Sequence, residues 1–174
     1  MNLIVGTPLW LVAVLVLAVV AAAIEDMLRF RISNITCVVV LTAALIAMGV
    51  HGFSLTLWQN AVVCFVVLAL GTAAFGAGWL GGGDVKLFAT IGLWFDLGAS
   101  LRLIAAVFIA GGALALVYLA TRSFMNSGGR SSDRRVPYGV AIALGGLFIL
   151  GSQLHPPAAN PFIDHLRAQQ AARR

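Results

Sequence analysis

Charge is scarce in this chain. Asp, Glu, Lys and Arg make up 10% of its 174 residues, against 61% hydrophobic ones. A water-soluble domain carries about 25% charged residues, so there is too little polar surface here to cover a globule in water. Soluble enzyme folds, disordered chains and nucleic-acid-binding domains are excluded on that ground, although the net charge is +5. Cysteine is nearly missing too. Cys37 and Cys64 both lie in apolar stretches without a CxxC or Cys/His cluster, which argues against a disulfide framework or zinc site and reads both as small buried apolar residues. His51, His155 and His165 have no second ligand at metal spacing, so neither metal nor cofactor is expected.

What is present is a series of long apolar runs. With about 20 residues needed per crossing, the length allows at most about six membrane helices with short loops. The expected fold class is therefore all-α, a polytopic membrane protein with about six transmembrane helices. The runs fall at about Leu3 to Ile24, Ile35 to Val50, Leu57 to Leu80, Val85 to Leu97, Leu101 to Thr121 and Val136 to Leu150. Ala21-Ala22-Ala23 could mark a leader-cleavage site. No Lys or Arg precedes it and Arg29 and Arg31 follow it, so the first run reads as a retained helix. Residues 1–151 form one expected membrane domain and residues 152–174 a C-terminal tail. Within the tail, Phe162, Ile163 and Leu166 can share one face of an interfacial helix.

Arginine placement sets the expected orientation. Six alternating spans collect Arg29, Arg31, Lys86, Arg122, Arg130, Arg134 and Arg135 on one side, and Arg102 with the three tail arginines on the other. By the positive-inside rule the first set is cytoplasmic and both termini lie outside. The breaks around Glu25 to Asn34 and Gly81 to Lys86 then meet on the cytoplasmic face, which places Asp26 and Asp84 at similar depth.

Only six acids occur: Glu25, Asp26, Asp84, Asp96, Asp133 and Asp164. A carboxylate near hydrocarbon is costly, which makes each one beside a span a functional candidate. Two carboxylates brought together cannot both ionise easily, so one becomes an acid and the other a base able to share a water, the arrangement of an aspartic protease. Plainer roles stay open: Asp84 as the N-cap of the helix it precedes, Asp26 as a headgroup-level partner of Arg29, Glu25 as an interfacial acid and Asp96 as the outer end of the fourth helix. Gly81, Gly82 and Gly83 weaken a helix before Asp84, so the backbone there must turn or be approached closely; a substrate strand beside the acid would need such an approach, and a simple turn between two helices is the plainer reading.

The stretch Gly81-Gly82-Gly83-Asp84-Val85-Lys86-Leu87, together with Asp26 followed by Arg31-Ile32-Ser33-Asn34 and with Val136-Pro137-Tyr138-Gly139 running on to Gly145-Gly146, resembles the type IV prepilin peptidases. These are membrane aspartic endopeptidases with a Gly-x-Gly-Asp motif. The resemblance covers most of the chain apart from the tail. It implies that Asp26 and Asp84 are the catalytic pair, that Gly81 and Gly83 belong to the motif and allow close backbone approach, and that Pro137 to Gly146 is a small-residue helix packed beside them. It implies as substrate a prepilin or pseudopilin precursor, cleaved after a glycine at the cytoplasmic face of the inner (plasma) membrane, with no cofactor and no nucleic-acid partner. Ser33 stands where the family commonly has proline, and serine can cap the second span in its place. The paired-CxxC insertion that larger members carry for N-methylation has no counterpart here, so methyl transfer is not expected. The compact form resembles the peptidases of tight-adherence (Flp) pilus systems. A non-enzymatic transporter with relay carboxylates and a secretion-assembly scaffold are the competing readings, although the middle of every apolar run is uncharged.

Overall fold

The computed structural model describes residues 2–4, 6–52, 57–125 and 138–154. Arg130, Arg134, Arg135, Pro137 and the tail from His155 onward lie outside the described residues. Six α-helices follow in chain order: α1 Leu9–Arg29, α2 Asn34–His51, α3 Leu57–Gly76, α4 Gly82–Gly92, α5 Leu97–Met125 and α6 Tyr138–Leu154. No strand occurs among the described residues. Helices α1, α2, α3 and α5 are long and apolar enough to cross a bilayer, and α6 is a shorter apolar helix. Large side chains face outward along them: Phe65, Phe108 and Phe148 are 70%, 75% and 70% exposed. A protein that turned such a surface to water would aggregate; in hydrocarbon it is the solvated surface. The chain is an all-α polytopic membrane protein.

Several boundaries differ from the sequence reading, each for a local reason. Helix α1 runs through Glu25 and Asp26 and stops only at Phe30, whose left-handed backbone (φ 50°) closes the end with a bond from its N–H to the Asp26 carbonyl. Helix α3 ends at Gly76, short of Leu80, because Gly78 (φ +76°) and a bond from Trp79 N–H to Ala74 O close it. Asp96 does not end the fourth helix. It caps the start of α5, its Oδ1 accepting from the Ala99 N–H at 2.8 Å.

Helix α4 is the centre of the bundle. It packs against α2, α3 and α6, and most of its residues are buried. Its 11 residues reach only about 16 Å, too short to cross a bilayer unaided. The N-terminal segment covers its far end: Leu3 and Ile4 are buried, and the Leu3 N–H donates to the carbonyl of the fully buried Trp94 at 3.0 Å. His51 is the last residue of α2, and its Nε2 meets Thr7 Oγ1 at 2.9 Å and Leu3 O at 3.2 Å, tying α2 to the same segment.

Candidate active site

The site forms where three chain segments converge: the last turns of α1, the first turn of α4 and the first turn of α6. Glu25 and Asp26 are neighbours on α1 and therefore point about 100° apart. Glu25 turns toward α2, where its Oε2 accepts the Ser33 N–H at 2.8 Å and the Thr36 hydroxyl at 3.2 Å. Ser33 is the N-cap of α2, its hydroxyl accepting from the Ile35 N–H at 3.1 Å, as the substitution of serine for proline leads one to expect. Glu25 thus takes the part that a capping-box glutamate plays from within a helix, but from the preceding helix. Sequence reading missed this structural role because Glu25 lies outside the helix it caps.

Asp26 turns inward. It is 4% exposed, and the backbone amides of Gly139 and Val140 at the start of α6 donate toward its carboxyl group. Those amides are among the free N–H groups that every helix carries in its first turn. The Oδ2 atom is buried without a hydrogen-bond partner. Asp26 is thus directed to α6.

Asp84 sits in the first turn of α4 rather than at its N-cap. The cap position belongs to Gly81, whose N–H donates to Asp84 Oδ2 at 3.1 Å, so the carboxylate reaches back over its own helix start. A β-carbon on Gly81 would lie 2.7 Å from that oxygen. At 8% exposure, Asp84 is pushed up to about 6, chiefly because burial disfavours its charged form, then because the charge of Asp26 adds repulsion; the Gly81 amide offsets part of this. The structure brings both sequence-nominated carboxylates into one electrostatic site. It also places Gly83 against the α1–α2 connection: the close approach there is made by the backbone of Ile32.

Two cavities flank α4. One, of about 270 Å³, reaches Asp84 and is lined by Phe88, Phe108, Gly111, Gly112, Tyr138 and Ile142 among others. The second, of about 380 Å³, lies on the α2–α3 side, with Asn34, Cys37, Cys64 and Lys86 in its wall. Lys86 Nζ donates to Asn34 Oδ1 at 3.0 Å. Cys37 is buried and both cysteines are free. Among the described residues, no three His, Cys, Asp or Glu side chains gather into a group that could hold a metal ion.

Residues 13–116, well over half of the chain and including both buried aspartates, match the model of the type IV leader peptidase family, Peptidase_A24. The chain belongs to the type IV leader peptidase family. No curated protein matches it, and no solved structure does. Membership makes the chain a membrane peptidase whose family acts on prepilin-type proteins. The matched stretch ends before α6, so the contact of this leader peptidase's Asp26 with Gly139 comes from its fold and not from the family match.

Proposed function

We propose that the protein is an aspartic endopeptidase that removes leaders from prepilin or pseudopilin precursors at the cytoplasmic membrane face, with Asp26 and Asp84 as its catalytic pair. The observation that supports this most directly is two buried carboxylates, from helices far apart in sequence, of which Asp26 adds to the cost of ionising Asp84 at the edge of an apolar cavity. One carboxylate, ionised, takes a proton from a water as it attacks the scissile carbonyl. The other, protonated, donates to the developing oxyanion and then supplies the proton to the leaving amine. The apolar segment behind the leader lies along the cavity between α3, α4 and α5, keeping the peptide bond at the Asp84 end. The lipid bilayer serves as the common solvent of enzyme and substrate.

The arginine distribution supports an inner (plasma) membrane location with both termini outside and the carboxylates on the cytoplasmic side. The lack of paired CxxC motifs supports leader removal without methyl transfer, as in the compact peptidases of Flp pilus systems. Purified protein incubated with a leader-bearing precursor tests the reading: the wild type cleaves, whereas Asp26→Asn and Asp84→Asn, inserted and folded, do not. Cleavage by either variant at more than trace rates eliminates the dyad.

A further inference from the structure

We propose that Gly139 is a positioning residue for Asp26: its missing side chain lets the first turn of α6 close onto the Asp26 carboxyl group and set it toward Asp84. The proposal rests on the peptidase reading for its kinetic consequences and on geometry for its cause.

Three observations meet at this point. The backbone amides of Gly139 and Val140 are directed toward the Asp26 carboxyl group. A β-carbon at 139 would lie 2.8 Å from Asp26 Oδ2, 2.9 Å from Asp26 Cβ and 2.8 Å from Ile32 Cδ1. The Asp26 Cβ atom is fixed to the α1 backbone and cannot swing aside, so any side chain at 139 displaces either α6 or the carboxyl group. Finally, Asp26 Oδ2 is buried without a hydrogen-bond partner. Donors aimed at a fixed carboxylate need no reorganisation during reaction, and displacing a catalytic group by a fraction of an ångström is enough to slow chemistry.

Helix α6 supplies its own control. A β-carbon on Gly145 would be equally crowded, 2.7 Å from Val107 Cγ2 and 3.0 Å from Val107 N, but against α5 and two turns away from Asp26. Gly139→Ala and Gly145→Ala therefore impose similar packing insults on one helix at two places. For the purified full chain, we expect Gly139→Ala to lower kcat about tenfold to a hundredfold while KM for the precursor stays near its wild-type value. Gly145→Ala should lower the thermal midpoint with kcat of the folded fraction unchanged. Equal effects of the two variants on kcat, or a Gly139→Ala effect confined to KM, overturns the proposal.

Should Gly139→Ala fail to fold, the double variant Gly139→Ala/Ile32→Val removes the Ile32 Cδ1 clash and retains the one with Asp26. Its kcat should remain low, and recovery to the wild-type rate overturns the proposal. A separate readout does not depend on catalysis. In protein labelled at the Asp side-chain carboxyl carbons, the resonance that disappears in Asp26→Asn should shift in Gly139→Ala and stay in place in Gly145→Ala. If wild-type protein cleaves no precursor but the resonance shifts as stated, the peptidase reading fails and the positioning contact stands; an unshifted resonance in active protein has the opposite meaning.

Discussion

Gly83 and Ile32 touch backbone to side chain and backbone to backbone: a β-carbon at 83 would stand 3.0 Å from the Ile32 carbonyl oxygen and 3.1 Å from Ile32 Cβ. Neither is the free end of a flexible chain. Gly83 is therefore required by the α1–α2 connection, which must lie flat against the start of α4 for Asp26 and Asp84 to share one site.

Gly83→Ala should consequently reduce both stability and activity, by about 1 to 3 kcal/mol in the first case as for an overpacked core. Thermal unfolding in detergent checks this. A variant as stable and as active as wild type would show that the two backbones are not held together.

Glu25 offers a sharper distinction between acid and acceptor. Glu25→Gln keeps a side-chain oxygen for Ser33 N–H and Thr36 and should remain active. Glu25→Ala leaves the Ser33 N–H and the Thr36 hydroxyl without their acceptor and should cost about 1 to 2 kcal/mol. If Glu25→Gln instead inactivates the folded protein as Asp26→Asn does, Glu25 belongs to the chemistry.

Gly112 faces the cavity that reaches Asp84, and nothing lies within 4 Å of its built β-carbon. Gly112→Leu should fit the fold, gain helix propensity of up to about 1 kcal/mol, and occupy the cavity. We expect an unchanged or higher thermal midpoint with a raised KM for precursor. An unaltered KM would place the substrate's apolar segment elsewhere.

The pH dependence of stability follows from Asp84. Its folded value of about 6 exceeds the 3.8 of a free carboxyl, so the folded state binds the proton more tightly than the unfolded one. This contribution is fully present below about pH 4 and is lost as pH rises through about 6, up to about 3 kcal/mol for a difference of about two units. Asp84→Asn removes the ionisation. Its thermal midpoint relative to wild type should rise between pH 4 and pH 7; a flat difference would mean that Asp84 is not desolvated.

Composition, spacing and motif order determined much of this protein from sequence alone: a membrane bundle of six helices, both buried aspartates, the cap at Ser33 and the small-residue helix after Pro137. These are legible because they depend on neighbours in the chain, on hydropathy over a span's length and on local helix signals. The sequence could not say where Glu25 and Asp26 point, because one helical step of about 100° decides it and the partners lie in α2 and α6. Nor could it say that Ile32 packs against Gly83, or that α6 presents its amides to Asp26. Such contacts join segments as much as 113 residues apart, as between Asp26 and Gly139, and exist only after the helices pack, when close approach and burial determine what surrounds each acid.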